Sequence, residues 1–161
     1  MSYINPAPGT TSQVTLKLEL AGTAGYTTAL AIPGLKDITV NASNDVFTWS
    51  QLDTTAKLQI ATTSTNSVAM NLVVDSTSFF GTTLASVQTD TVAAQGLMGL
   101  SRNKTKIKFS LKFEEGGASD KYIQGVGYIT GLAPTVSADS PVWVTPITIT
   151  VSGDYTVSAT E

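Results

Sequence analysis

Apolar and polar residues alternate along this chain in short runs, and the alternation predicts strands. In "VTLKLEL", Val14, Leu16, Leu18 and Leu20 fall on one side and Thr15, Lys17 and Glu19 on the other. That period of two belongs to a strand with one face in a core. "SVAMNLVVD" repeats the pattern with Val68, Met70, Leu72 and Val74. "TKIKFSLKF" does so with Thr105, Ile107, Phe109, Leu111 and Phe113, and "VTPITITV" with Thr145, Ile147, Ile149 and Val151. "KYIQGVGYITGL" reads as a glycine-rich strand, and Pro146 suggests a sheet edge or a bulge.

The intervening segments supply the punctuation. "NPAPG" makes residues 1–12 a candidate flexible arm. Pro33-Gly34 predicts a turn before the strand "LKDITV". "NASND" predicts a chain break, residues 51–55 a polar loop and "TTSTNS" a hairpin connection, so that residues 46–75 form a long β-hairpin. "APTVSADSP" reads as a loop. One helix is expected in "FFGTTLASVQTDTVAAQ", capped by Thr82 or Thr83, with Leu84, Val87, Thr91 and Ala94 on one face and "GLMGLS" ending it. The sum is a single domain over residues 1–161. It is mainly β, an antiparallel sandwich or small barrel of roughly seven to nine strands with one short helix.

Composition narrows the function more than the fold. Only 13 % of the 161 residues are charged, about half the usual share of about 25 %. The net charge of −3 argues against a free-standing nucleic-acid-binding domain, which would be basic. The chain contains no cysteine and no histidine. That removes thiol nucleophiles, Ser-His-Asp triads, thiolate or imidazole zinc sites and histidine pH switches. The N-terminus has no basic segment followed by an apolar one, and no apolar run reaches the roughly 20 residues that span a bilayer. Cytoplasmic synthesis with no membrane contact is the resulting expectation.

The remaining candidate chemistry is thin. Glu114 and Glu115 sit beside "GG" and read as a solvated turn. Asp37, Asp45, Asp53 and Asp75 sit near expected strand ends, where turn-forming aspartate is common. A glycosidase-like carboxylate pair is a poorer reading of them. "GVG" at 125–127 lacks the lysine and following helix of a phosphate loop, so its glycines are read as sites of close backbone approach. Trp49 and Trp143, with Phe79 and Phe80, offer a stacking platform only if they gather on one surface.

In "RNKTKIKFSLKFEE", Lys104, Lys106, Lys108 and Lys112 share one face of the expected strand. Three roles compete for this stripe. It could be a solvated face that guards an edge, a contact for the acidic surface of an identical neighbour, or, with least support, a nucleic-acid contact.

The order of features brings in a resemblance. "GVGYITGLAPTVSADSPVWVTPITITVSGDYT" resembles the C-terminal part of tail tube proteins of long-tailed bacteriophages. There a strand ending in Gly-Tyr-hydrophobic-Thr-x-Leu precedes a polar loop and a long final strand closing on an "SG" segment, here Val151-Ser152-Gly153-Asp154. "IPGLKDITV" and "VFTWSQLDTTAKLQIATT" are similar to the early strands and long hairpin of that family, and the helix before "TKIKFSLKF" falls where that fold places one. The resemblance covers most of residues 12–158 and contains no catalytic signature.

It implies a structural, non-enzymatic virion protein without cofactor or metal. Its subunits would form stacked six-fold rings, a hollow non-contractile tail tube through which genomic DNA passes without specific binding. Partners would be further copies of the chain and the tape measure, terminator and distal tail proteins, and its place would be the virion tail after synthesis in the host cytoplasm. Candidate contacts between subunits are the hairpin (Gln51, Asp53, Lys57), the stripe (Lys104, Lys106, Lys108, Lys112) and the turn Glu114, Glu115, Asp120 and Lys121. The stripe is expected outside the lumen. The rival readings are a virion decoration protein and a carbohydrate-binding module using Trp49 or Trp143.

Overall fold

The computed structural model describes residues 14–32, 34–52, 55–84, 87–113 and 120–161. Strands β1 (Thr15–Leu20), β2 (Leu30–Ala31), β3 (Leu35–Ser50) and β4 (Lys57–Val73) are followed by helices α1 (Ser76–Phe80) and α2 (Val92–Arg102). Strands β5 (Ile107–Phe113), β6 (Lys121–Leu132), β7 (Thr135–Ser137), β8 (Ser140–Val151) and β9 (Thr156–Ser158) complete the chain. Hydrogen bonding runs through them as one antiparallel sheet in the order β2-β1-β5-β6-β8-β4-β3, with β7 beside β8 and β9 beside β6. The mainly antiparallel β class read from the alternation is the class observed.

The core is built from the apolar positions of that alternation. Leu16, Leu18, Val68, Leu72, Ile107, Phe109, Leu111, Ile147 and Ile149 are all but inaccessible, and Phe79, Val92, Leu97 and Leu100 close the same cluster from the helices. Each such side chain contributes about 1.5–3 kcal/mol on burial. The glycines of β6 serve close approach. A Cβ on Gly127 would lie 2.2 Å from the carbonyl oxygen of Thr150, and one on Gly125 would lie 2.8 Å from the Phe109 ring.

Several local expectations are corrected. Residues 41–45 of "NASND" do not break the chain but lie inside β3, and "TTSTNS" lies inside β4. The hairpin therefore spans Leu35 to Val73, and its last pair, Ser50 opposite Lys57, flanks the segment where the polar loop was expected. These turn-prone residues stay extended because they pair across the ladder. Ser64 Oγ donates to Asn44 Oδ1 at 2.9 Å and Thr63 Oγ1 to Asp45 Oδ2 at 2.9 Å, so side-chain bonds that would otherwise favour a turn hold the strands together. Gly34 has φ +68, as a turn before β3 requires, while Pro33 lies outside the described residues. Pro146 sits inside the sheet, where one side of β8 changes partner from β6 to β7 and no ladder donor is needed. The expected loop after β6 contains the short strand β7.

The helical region is also relocated. Asp75, not Thr82 or Thr83, caps α1 through Oδ2 to the Ser78 amide at 2.9 Å, and Thr91 caps α2 through Oγ1 to the Ala94 amide at 3.3 Å. "GLMGLS" lies within α2, whereas Leu84 and Val87 are exposed in the connection. Two glycines explain the split. Gly81 (φ +78) and Gly96 (φ +63) press their backbones together so closely that a Cβ on Gly96 would lie 2.2 Å from the Gly81 nitrogen. Buried Gln95 then ties the connection down. Its Nε2 donates to the carbonyls of Asp90 (2.7 Å) and Gln88 (3.1 Å), and its Oε1 accepts from Thr105 Oγ1 at 2.8 Å.

Candidate functional site

The sheet has one face in the core and one outward face, and the outward face divides into two halves. On β1 and β5 it carries Lys17 and Glu19 beside Ser110 and Lys108, in register. Residues 21–29 cover this half. Tyr26 Oη donates to the Phe109 carbonyl at 2.9 Å, while buried Glu19 accepts from the Thr28 amide at 3.0 Å and from Thr28 Oγ1 at 2.7 Å. Burial, followed by the negative charges of Glu161 and Glu19, pushes the Tyr26 phenol up to about 12.

The lysine stripe is dispersed by this arrangement. Lys104 is not in a strand but in the turn after α2, with φ +53, and Lys106 is exposed just before β5. The ladder begins only at Ile107 because Asn103 and Lys104 still bond back to the last turn of α2. Lys108 Nζ donates to the carbonyls of Thr23 and Gly25 and lies 4.6 Å from the Tyr26 ring centroid. Lys112 pairs with Asp120 at 2.9 Å, and Lys17 pairs with Glu161. Two of the four lysines of the stripe are thus engaged within the chain.

On β6, β8, β4 and β3 the outward face is open and nearly uncharged. Tyr128 and Thr130, Thr148 and Thr150, Ser67 and Asn71, and Thr39 and Asn41 lie along it. The hydroxyls of Thr130 and Thr150 meet at 2.8 Å, and Asn71 Nδ2 donates to Asp37 Oδ1 at 2.9 Å.

The hairpin continues past this body. Its root is held where β4 last pairs with β8, at Ser67 opposite Thr150. There Tyr155 Oη lies 2.8 Å from the carbonyl oxygens of both Asn41 and Ser67, and Asn66 Nδ2 donates to the Gly153 carbonyl at 2.9 Å. Burial raises the Tyr155 phenol above its ordinary value. Farther out, among the described residues, β3 and β4 pair only with each other. Phe47 faces Ile60 and Trp49 faces Leu58, with the Phe47 and Trp49 rings stacked at 5.9 Å. Phe47 is 59 % exposed and Ile60 55 %. Gln51 and Lys57 are exposed at the turn, and Lys121 pairs with Phe113 at the start of β6. Asp53, Glu114 and Glu115 lie outside the described residues. Of the apolar strip at the tip only Trp49 was among the sequence candidates, although "VFTW" alternates as a half-buried strand does.

Among the described residues no group of three or more His, Cys, Asp or Glu could hold a metal ion, and no helix is long and apolar enough to cross a membrane. No protein-family profile and no curated protein matches the chain. Solved structures do. A chain in the tail of an empty gene transfer agent particle, refined with C6 symmetry, matches with a TM-score of 0.63 and 13 % identity over 90 % of this chain and 95 % of that one. The SPP1 tail tube matches with a TM-score of 0.59 and 9 % identity, covering 89 % of this chain and 77 % of that one. The tube-terminating cap of the anti-feeding prophage gives 0.55 and 12 % identity over 91 % and 88 %. At these identities the likeness is one of fold, and the fold is that of phage tail tube proteins.

Proposed function

We propose that this chain is a structural, non-enzymatic tail protein whose copies close into six-fold rings and stack into a hollow tube for the passage of genomic DNA. The observation that carries the reading is the match, over nine-tenths of the chain, to a subunit of a tail refined with C6 symmetry. The geometry supports it physically. β3 lies at one end of the strand order and the two-residue β2 at the other, so the sheet ends in two edges. Such edges are a hazard in a monomer and a natural seam in a ring.

The open hydroxyl and amide face of β6, β8, β4 and β3 is the face we assign to the channel. It presents no lysine or arginine among its named positions, so it offers DNA phosphates nothing to retain them. Lys108 and Lys112 stay outside the lumen in this arrangement, tied to residues 23, 25 and 120. Gln51, Lys57, Lys106 and Lys121 are contact candidates between subunits, alongside the further partners that a tail requires: tape measure, terminator and distal tail proteins. The place of action is the virion tail, after synthesis in the host cytoplasm.

Negative-stain electron microscopy of concentrated protein, with light scattering for mass, tests the reading. Hollow rings or tubes of uniform diameter are expected. A strictly monomeric protein at every concentration that nonetheless binds assembled capsids would replace it with the decoration reading.

A further inference from the structure

Two pieces of this chain lie outside the core: the hairpin beyond Ser67, and the strap of residues 21–29 that covers β1 and β5. The segment from Ser152 to Glu161 reaches both. It begins where β8 ends. Ser152 still donates its amide to the Val126 carbonyl at 2.6 Å, Gly153 turns the chain with φ +98, and β9 rejoins the same edge of β6 at Tyr122–Gln124. Glycine takes such a φ without the Cβ penalty that other residues meet.

Between β8 and β9 the segment grips the hairpin. Tyr155 Oη lies between the carbonyls of Asn41 and Ser67, which face each other on one rung of the ladder, and Asn66 Nδ2 reaches the Gly153 carbonyl. The Tyr155 ring meets the Phe109 ring edge-on, with centroids 6.3 Å apart. Past β9 the same segment turns to the strap. Ser158 still pairs with Tyr122, yet Glu161 pairs with Lys17 of β1, so residues 159–161 cross the outward face over β6 and β5. That path runs beside Tyr26, whose phenol is raised first by burial and then by the Glu161 charge. Phe109 bears on both pieces, since its carbonyl accepts from Tyr26 Oη at 2.9 Å.

We propose that residues 152–161 are a strut that couples the hairpin root to the strap, so that displacement of the root lifts the strap and bares the β1–β5 half of the outward face. Pieces tied together by one segment open as a unit and not separately. The covered half is also imperfectly satisfied. Ser110 Oγ is buried there without a hydrogen-bond partner among the described residues, and Lys108 Nζ is held by two strap carbonyls, of Thr23 and Gly25. Water admitted by a lifted strap would serve both groups, which lowers the cost of opening. The inference concerns the single chain and stands independently of tube formation.

Amide hydrogen exchange of the soluble full chain, read residue by residue by NMR, tests the strut from both ends. Tyr155→Phe removes only the hydroxyl at the hairpin root. Exchange should rise about fivefold at Asn41 and Ser67 and by a similar factor at the strap amides of Thr23 and Thr28, with Asn103 in α2 keeping its rate. Lys17→Met, a surface change at the far end, should do the reverse and speed exchange at Asn41 and Ser67. Lifting of the strap has its own readout. Acetylation of Lys108 by an amine reagent should quicken severalfold in Tyr155→Phe, while that of exposed Lys106 stays as it is. Acceleration confined to the root in Tyr155→Phe, or to the strap in Lys17→Met, overturns the inference. So does an equal rise at every amide, Asn103 included, because that is global unfolding.

Discussion

The root and the tip of the β3–β4 hairpin are made from the same two strands and joined by one ladder, yet they live in different environments. At the root Val68 and Leu72 are fully inaccessible and Met70 nearly so, because β8 pairs beside them and the helices and β5 close the core over them. At the tip Phe47 and Ile60 are more than half exposed. Local sequence is equally β-like in both. The difference teaches that alternation specifies two faces, while burial of either one needs a third element laid across it. Within one chain the root has that element and the tip does not.

The comparison can be broken most severely at the root. Leu72→Ala should cost about 2–5 kcal/mol of unfolding free energy by denaturant titration, since it empties a position with no solvent access. Ile60→Ser at the tip should leave monomer stability within about 0.5 kcal/mol and act only on association. Equal destabilisation by the two would erase the distinction.

A smaller effect is expected at the root clasp. Tyr155→Phe removes the hydroxyl shared by the Asn41 and Ser67 carbonyls and should cost about 1 kcal/mol, with faster amide exchange near Asn41 and Ser67 but not near Trp49. The smallest effect is a pH dependence. Burial raises the Tyr155 pKa above its ordinary 10.0 in the folded protein, so the neutral hydroxyl is the form that the fold favours. Its contribution is complete below the unfolded value and is lost as pH rises through the folded one. The stability gap between the native chain and Tyr155→Phe should therefore narrow as pH is raised above about 10. A gap that widens, or that appears only on acidification, would show that the hydroxyl is not the clasp.

The lysine stripe and the open face offer a second contrast within one sheet surface. On β5 the period of two places Lys108 and Lys112 outward as the sequence predicts, and Lys112 pairs with Asp120 close by in sequence, but the engagement of Lys108 with Thr23 and Gly25 depends on residues far along the chain. No local pattern announces that residues 21–29 cover this half and leave the other half bare.

From its sequence alone, this chain determined which residues alternate, hence its β class, its core positions on β1, β4, β5 and β8, and its lack of histidine and cysteine chemistry. Those are local properties, set by strand geometry and by the inventory of side chains. Tertiary structure decided that Asn41 to Asp45 and Thr62 to Ser67 stay extended and that Gly81 and Gly96 divide the helical region. It also decided that one extra residue at Thr62–Thr63, between the pairs Asn44–Ser64 and Val46–Ala61, sends the tip's apolar side outward. Those outcomes depend on cross-strand partners and close backbone contacts between segments distant in sequence, where a shift of a single residue exchanges the two faces of a strand.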